Sequence, residues 1–456
     1  MDVHSTPLDI WYNILNRLSA ENLIKMITVS KLLNKYVKSI PWSVTVTPIK
    51  LAHLNYLKTN YLFERYDLSK CKSIQSSSMK LWHNLKSLNL DLCKKITNTG
   101  LQKLSGLLEL NISSCLNITV EGLSHLSSLE DLNIFNCQKI TDDLFKYLPN
   151  LRILKASGTN FISDDNITIN SISRLTNLTH LRLGFNRNID NRLFKYLTNL
   201  TILYISENSK ITDDIILYLN VTRLESLSLR LCGITDNIMP ILGQIPRLNI
   251  SWNPRISSLA LPHLTSVRTL DISENNILEG DNTKYLSNVK TLCLCQTETP
   301  KGIAWHHLRS ITSLDLSNCE ILLNSDITQL ACLPSLTSLF LKNSQRISNY
   351  SIQTLTNLQT LWLRECHNIS NKGIQSLTNL TNLNVNHLAH LTDDSIKDLT
   401  NLQYLNMSFC PKITDSCFQN LTRLETLVAW GKVSISSDLI IQLRSRGVSV
   451  DFEYLR

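Results

Sequence analysis

The sequence predicts an α/β solenoid, in which short strands and helical turns alternate and stack as repeats. The stretch from Leu85 to Thr97 returns as Leu107 to Thr119 and again as Leu129 to Thr141, a spacing of 22 residues. A fixed period of about 20–50 residues is the sequence signature of repeat architectures. Because each repeat packs only on its neighbours, a chain of 456 residues can fold in this way without one oversized core.

Each repeat reads as a strand, a turn and a short helix. Two alternating leucines, such as Leu88 and Leu90, point inward from the strand, since side chains alternate with period 2. Three residues later comes a Cys or Asn, here called the slot, and then an Ile and a Thr that we expect to cap the helix. The slot marks seventeen units, at Cys71, Cys93, Cys115, Cys137, Thr159, Asn186, Asn208, Cys232, Asn253, Asn275, Thr297, Cys319, Ser344, Cys366, Leu388, Cys410 and Lys432.

This pattern, L-x-x-L-x-L-x-x-C/N-x-x-I-T/S, resembles the leucine-rich repeat, and its Cys-containing subclass in particular. The resemblance implies a horseshoe over residues 46–456, with a parallel sheet on the concave side. Seventeen strands at about 4.8 Å per step give a sheet of about 80 Å. The long interval between Thr159 and Asn186 is expected to bulge away from the sheet, and residues 433–456 to form a last helix and a capping strand.

Residues 1–45 predict three short amphipathic helices, which are too small to be stable alone. The pattern from Pro7 through spaced Ile and Leu pairs to Val29-Ser30-Lys31 resembles the F-box, from which it departs at Thr6 and Leu33. The resemblance implies binding to a Skp1-like adaptor, and through it to a cullin, by Pro7, Ile10, Trp11, Ile14, Leu15, Leu18, Leu23, Ile24 and Val29. The alternative is a helical cap that shields the first repeat.

Eight of the 12 cysteines occupy the slot, where we expect them to be structural and to meet backbone groups of the turn. Cys293 and Cys295 alternate along one predicted strand, so both thiols should face the concave side. They could form a metal or redox pair, but no second Cys or His pair stands at a zinc-like spacing. We therefore predict no metal and no cofactor.

The predicted concave face carries the side chains six, four and two residues before each slot. These are mostly small or polar in the first half, and a basic and aromatic group follows with His180, Arg182, Tyr204 and Arg230. Trp, Tyr and Arg dominate interface energies, which favours a target-binding site over scattered surface aromatics. The predicted target-binding residues are Phe340, Lys342, Trp362, Arg364, Tyr404 and Trp430.

Composition and motifs exclude several function classes. The net charge of +8 is mild and the basic residues are spread along the chain, which argues against nucleic acid. No stretch approaches the roughly 20 apolar residues of a membrane span, and no signal peptide is visible, so we expect a cytoplasmic or nuclear protein. Phosphate-loop, dinucleotide, serine-hydrolase and zinc-protease motifs are missing, and His306 and His307 are merely adjacent. We predict a binder and not an enzyme.

An F-box-like segment followed by Cys-type repeats resembles the F-box/LRR substrate receptors of SCF-type ubiquitin ligases. The resemblance implies catalysis by proximity, in which the receptor holds an unknown protein target near the conjugating enzyme. The high content of Asn, Ile and Lys suggests an AT-rich genome, and a viral source would place the protein in the host cytoplasm. A ligase-independent scaffold or inhibitor is the main alternative, and an enzyme would need an enclosed pocket of ionisable groups.

Overall fold

A computed structural model describes residues 18, 22–24, 37, 41–48, 50–71, 73–79, 82, 84–158, 167–297 and 303–453. The chain divides into two compact units, Met1–Leu224 and Glu225–Arg456. In the described part of both units the strands pair in parallel, as expected for consecutive repeats. The predicted bulge after Thr159 lies outside the described residues.

The first unit contains eight strands in its described part. They are β1 (Pro41–Val46), β2 (Leu62–Asp67), β3 (Ser87–Asn89), β4 (Glu109–Asn111), β5 (Asp131–Asn133), β6 (Ile153–Lys155), β7 (His180–Gly184) and β8 (Ile202–Thr212). Its helices are α1 (Leu51–Asn60), α2 (Asn98–Leu101), α3 (Val120–Leu123) and α4 (Ile169–Ile172). Short 3-10 turns span Ser76–Met79, Asp142–Tyr147, Asn191–Lys195, Asp213–Leu217 and Val221–Arg223.

The second unit contains eleven strands in its described part. They are β9 (Ser226–Gly233), β10 (Arg247–Asn249), β11 (Thr269–Asp271), β12 (Thr291–Cys293), β13 (Ser313–Asp315), β14 (Ser338–Phe340), β15 (Thr360–Trp362), β16 (Asn382–Asn384), β17 (Tyr404–Asn406), β18 (Thr426–Trp430) and β19 (Ser449–Glu453). Its helices are α5 (Met239–Leu242), α6 (Asn324–Gln329), α7 (Asn349–Ile352), α8 (Asn371–Ile374) and α9 (Ser437–Ser445). Its 3-10 turns span Asp236–Ile238, Ser258–His263, Gly280–Leu286, Trp305–His307, Leu330–Cys332, Asp393–Ser395 and Asp415–Gln419.

The core of each unit is a column of leucines under the strands. In a typical three-residue strand the central leucine is buried while its neighbours stay partly exposed, as in β3, β4 and β5. The register places Leu88 beside Leu110 and Leu110 beside Leu132, so equivalent leucines of neighbouring repeats stack directly. The 22-residue period therefore predicts both the strand positions and their register.

The slot residues close the turn after each strand, as predicted. The Sγ of Cys115 contacts the Leu90 carbonyl oxygen at 3.1 Å, and the Sγ of Cys366 contacts that of Leu341 at 2.8 Å. Where the slot holds an amide, the side chain donates in the same way, as from Asn275 Nδ2 to the Ile250 carbonyl at 2.8 Å. Cys and Asn thus serve one purpose, which is to add a second hydrogen bond to a buried carbonyl of the preceding repeat.

The residue directly before the slot adopts a left-handed conformation in repeat after repeat. From Leu92 to Phe409 the non-glycine residues at this position have φ between 51° and 66°, and Gly158 and Gly431 hold the same position with φ of 75° and 72°. The conformation lets the backbone N–H reach the next repeat, as from Leu92 N to the Ser113 carbonyl at 3.0 Å. The sequence pattern did not reveal this position, because Leu, Glu, His and Trp are not typical left-handed residues.

The predicted helix-capping role of the repeat threonines is wrong for most of them. Thr97, Thr119 and Thr141 stand at the N-cap with extended backbone, but none of them caps its own helix with its side chain. The hydrogen bonds run sideways instead: Asn98 Oδ1 accepts from Thr119 N at 2.9 Å, while Asn98 Nδ2 donates to Thr119 Oγ1 at 2.8 Å. These bonds join the helical turns of neighbouring repeats.

Both ends of the repeats carry extra strands. The helix α9 and the strand β19 confirm the predicted C-terminal cap, and β19 pairs with β18. At the other end β1 pairs with β2, so Pro41–Val46 belongs to the sheet and not to the predicted helical segment that ended at residue 45. Trp42 is completely buried and its indole N–H donates to the Val37 carbonyl at 2.8 Å, which fixes the entry into the repeats.

Candidate protein-interaction face

Three rows of side chains stand on one face of each unit's sheet, at positions six, four and two before each slot. This surface is called the open face below. In nine repeats the middle row holds an Asn or Asp whose side chain accepts the backbone N–H two residues later, as Asn89 does from Asp91 and Asn384 from Asn386, both at 3.0 Å. These amides and carboxylates hold the turn, so they are structural residues.

Eight repeats replace this turn-holding residue with another type. The replacements are Lys155, Arg182 and Tyr204 in the first unit and Ser228, Cys293, Phe340, Trp362 and Val428 in the second. None of these eight side chains carries the Asn or Asp oxygen that accepts the turn N–H in the other nine repeats. At these eight positions the middle row therefore presents side chains that do not hold the turn.

Phe340 and Trp362 are neighbours in this row and pair across β14 and β15. Their ring centroids lie 5.1 Å apart with planes at 74°, the edge-to-face arrangement that aromatic pairs prefer. Trp362 keeps 39% of its surface exposed even with this contact. The structure thus brings together two of the predicted target-binding residues as one exposed aromatic pair.

Lys342 and Arg364 follow the aromatic pair on the same two repeats, two residues further toward the slot. Both side chains are partly exposed. The Nε of Arg364 donates to Glu365 Oε1 at 3.0 Å, so a neighbouring carboxylate holds this guanidinium. Two basic residues therefore follow the aromatic pair on the same two repeats, and these four residues, Phe340, Lys342, Trp362 and Arg364, are called the aromatic–basic cluster below.

Tyr404 and Trp430 lie apart from this cluster. Tyr404 begins β17 and pairs with Asn382 and Thr426, so it stands in the row six before the slot. Trp430 ends β18, three strand steps or about 14 Å from β15, and is 45% exposed. The six predicted target-binding residues therefore form one cluster and two separate aromatics.

The first unit has its own basic and aromatic group. The Arg182 guanidinium carbon lies 4.5 Å from the centroid of the Tyr204 ring, a cation–π contact. Lys155, which the sequence analysis did not single out, occupies the same row and lies 3.6 Å from Asp131. In the second unit Arg230 lies instead over Trp252, 5.2 Å from its ring centroid. Lys155 could have been identified from the sequence, because it replaces the Asn or Asp of the middle row.

The predicted adaptor-binding set lies mostly outside the described residues. Pro7, Ile10, Trp11, Ile14, Leu15 and Val29 are among the residues that the structure does not describe. Leu23 is fully buried, so its side chain packs within the chain and offers no surface to an adaptor. Leu18 and Ile24 are partly exposed.

Cys293 and Cys295 differ from the slot cysteines. The strand β12 ends at Cys293, so Cys295 lies in the turn and not on the strand as predicted, yet the two Sγ atoms are 3.2 Å apart. The hydrogen bond from Cys295 lowers the pKa of the Cys293 thiol, although burial opposes the shift, whereas the same bond and burial raise the pKa of Cys295. Burial raises the pKa of the slot thiols Cys115, Cys366 and Cys410 to about 12.

Comparisons with known proteins agree with the repeat geometry. A family model described as "Leucine Rich repeat" matches residues 83–105 and 398–416. Together with the parallel strands at 22-residue spacing, the match defines the fold as a leucine-rich-repeat solenoid. No curated protein matched the chain.

Three solved structures illustrate the likeness. An internalin from Listeria monocytogenes is 23% identical, with 70% of this chain and 84% of that chain covered and a TM-score of 0.41. A yeast structure of the Rad7 and Elc1 complex is 18% identical, with 88% and 87% covered and a TM-score of 0.40. The mouse RP105/MD-1 complex is 17% identical, with 90% of each chain covered and a TM-score of 0.47. Among the described residues, no helix has the length and apolar character of a membrane span.

Proposed function

We propose that this leucine-rich-repeat protein binds a protein target through the aromatic–basic cluster of its second unit. The observation that supports this most is the replacement of turn-holding Asn or Asp by Phe340 and Trp362 on two adjacent strands. Large aromatic rings flanked by Arg are the side chains that contribute most to protein–protein binding energy. Because β14 and β15 are rigidly paired, the rings are held in place before a partner arrives, which lowers the entropy cost of binding.

We further propose that the protein is the substrate-recognition adaptor of an SCF-type ubiquitin ligase. The support is the F-box-like pattern of residues 6–45 directly before the repeats. In this function the N-terminal segment binds a Skp1-like adaptor and, through it, a cullin. The repeats hold the target, and the transfer of ubiquitin is accelerated because target lysines are kept at a high local concentration near the conjugating enzyme. The chain itself performs no bond chemistry.

Adaptor binding is tested with purified Skp1-like protein in a pull-down on full-length chain. We expect the wild type to retain the adaptor and an Ile10→Asp/Leu15→Asp variant to lose it. Trp362→Ala is the matched control, because it alters the open face of the second unit and leaves the N-terminal segment untouched. Failure of the wild type to retain the adaptor would remove the ligase function and leave target binding by the open face intact as a separate question.

Target binding is tested by comparing partners of the wild type with those of Trp362→Ala. The substitution should weaken a genuine target by about tenfold or more, since central aromatic residues contribute about 2 kcal/mol or more. Tyr350→Ala is the control, because Tyr350 is 68% exposed but lies on α7 and not on the open face. A target that binds all three proteins equally would contradict the proposed site.

A ligase-independent scaffold or inhibitor is the second candidate, and the burial of two described residues that precede the repeats favours it. The buried Leu23 and Trp42 and the added strand β1 are features of a cap that covers the first repeat. In that case the adaptor pull-down is negative, whereas the Trp362→Ala variant still loses its target. The two experiments together therefore distinguish the two functions.

A further inference from the structure

The strongest unexplained cluster lies on the open face of the second unit, where β12 and β13 end. The two thiols of Cys293 and Cys295 and a carboxylate oxygen of Asp315 all lie within 4.8 Å of one another. Cys293 and Asp315 are register partners on adjacent strands, so the sheet itself fixes their separation. Paired strands thus hold two of the three potential ligand atoms, and the turn directly after β12 brings in the third, from Cys295.

The spacing of the thiols suits a single metal ion. The Sγ atoms are 3.2 Å apart, well beyond the bond length of about 2.05 Å in a disulfide. Two sulfurs on one tetrahedral zinc, at about 2.3 Å each, stand about 3.8 Å apart. The two sulfurs therefore need to separate by about 0.6 Å to admit the ion, which a small rotation of either side chain provides.

Hydrogen bonds from neighbouring residues also position the three candidate ligands. Ser273 donates its hydroxyl to Asp271 Oδ1 at 2.7 Å and accepts the backbone N–H of Cys295 at 3.0 Å, and its oxygen lies 3.3 Å from Cys293 Sγ, so one residue contacts both cysteines. Asp315 Oδ1 accepts the Ser317 N–H at 2.9 Å, which orients the carboxylate. Such hydrogen bonds to ligating residues are a general feature of metal sites.

Neither cysteine has the structural explanation that applies to the slot cysteines. The slot of this repeat is filled by Thr297, whose hydroxyl donates to the Leu294 carbonyl at 2.7 Å and so satisfies the turn. Cys293 stands where nine other repeats place the turn-holding Asn or Asp. Cys293 and Cys295 are partly exposed residues, whereas seven of the eight slot cysteines are buried. The pair is therefore accessible to an ion from solution.

We propose that Cys293, Cys295 and Asp315 form a binding site for a thiophilic divalent cation, zinc in particular. Two thiolates and one carboxylate are ligands that zinc accepts, and the fourth tetrahedral position faces the open side of the sheet, where water or a partner's side chain completes the coordination. Binding releases the thiol protons, so affinity rises with pH. The site is independent of the adaptor and target binding proposed above.

The test uses full-length protein, reduced and stripped of metal, titrated with cadmium to observe the ultraviolet thiolate charge-transfer band, and with zinc against a chromophoric chelator. We expect one equivalent to bind. Asp315→Asn should weaken zinc at least about tenfold while keeping the bond to Ser317, and Cys293→Ser/Cys295→Ser should abolish the band. Cys332→Ser is the matched control, because Cys332 is exposed and distant in sequence from the cluster.

Circular dichroism verifies that each variant is folded before titration. A band and a stoichiometry that survive in Cys293→Ser/Cys295→Ser would overturn the site. So would a reduced wild type that shows no band, including one that instead forms a Cys293–Cys295 disulfide on exposure to air.

Discussion

At the scale of single residues, the left-handed position before each slot is the least expected feature of the chain. An L-residue there costs about 1–2 kcal/mol, and the cost is tolerated because the conformation delivers a backbone N–H to the next repeat. Leu92 shows this most clearly, since its side chain is 59% exposed and contributes little packing. The backbone and not the side chain decides which residues suit the position.

Substitution of Leu92 measures this backbone effect. Leu92→Gly should leave the free energy of unfolding unchanged or raise it by up to about 1 kcal/mol, because glycine adopts the left-handed region freely. Leu92→Val should lower it by about 1–2 kcal/mol, because a β-branched residue fits that region badly. Urea unfolding of the two variants gives the comparison. Equal stabilities would mean that backbone strain does not govern this position.

The thiols of the slot cysteines should be unreactive towards alkylating agents in the folded protein. At pH 8 a thiol with a pKa of about 12 is ionised in about one molecule in ten thousand, and only the thiolate reacts. We expect iodoacetamide to modify the exposed Cys332 first, with Cys366 and Cys410 protected. Mass spectrometry of native and guanidinium-unfolded samples provides the measurement. Native labelling of Cys366 as fast as Cys332 would contradict the slot's structural role.

At the scale of the structural element, the sideways bonds between helical turns are a ladder that joins one repeat to the next. Asp393 is its clearest member: Oδ1 accepts the Thr414 N–H at 2.7 Å, and Oδ2 accepts the hydroxyls of Thr414 and Ser416 at 2.6 and 2.5 Å. Burial raises the pKa of Asp393, but these hydrogen bonds outweigh it, so the pKa is lowered overall. The charged form is thus favoured in the folded protein.

The lowered pKa of Asp393 makes its contribution depend on pH. Because the pKa is lower folded than unfolded, the stabilisation is complete above the unfolded value of about 3.9 and is lost as pH falls through the folded value. We expect Asp393→Ala to lower the free energy of unfolding by about 1–2 kcal/mol at pH 7, allowing for partial exposure. Urea titrations of wild type and variant at pH 7 and below pH 4 should show the difference shrinking. A constant difference would contradict the ladder.

The strands and turns also show what the sequence could and could not predict. Alternating leucines gave the strand positions, and the slot gave their register, because both follow from period and burial. The threonine before each helix suggested a local cap, yet its partner is the Asn or Asp of the previous repeat, a residue 21 positions away in the case of Asn98 and Thr119. Sequence propensities describe interactions between residues that are close along the chain. Contacts in a solenoid join residues of different repeats, so local propensities do not predict them.

The same limit applies to the contacts within the candidate site. Aromatic and basic residues on the predicted open face could be identified from the pattern, but the pattern does not show which of the six residues, spread over four repeats, contact one another. The register places Phe340 beside Trp362, whereas Tyr404 and Trp430 fall in different rows. The convergence of Cys293 and Cys295 depended on the strand ending between them, which spacing alone does not reveal.

At the scale of the whole molecule, a solenoid distributes its stability repeat by repeat. Each repeat contacts only its neighbours, so damage at one end should remain local. The chain divides into two compact units after Leu224, and β1 extends the sheet of the first unit at its N-terminal end. The N-terminal end of the sheet is therefore the place where stability can be perturbed while the second unit serves as an internal reference.

Trp42→Ala perturbs that end. Trp42 is completely buried beside β2, and truncating a buried Trp costs about 3–5 kcal/mol through lost burial and the cavity left behind. We expect faster amide hydrogen exchange in β1, β2 and α1, while strands β14 to β18 keep wild-type protection and Trp362-dependent target binding persists. Trp362→Ala, an exposed Trp on the open face, is the matched control and should leave exchange at both ends unchanged. Uniformly faster exchange in Trp42→Ala would show that the repeats unfold as one cooperative unit, and that the N-terminal end stabilises the whole chain.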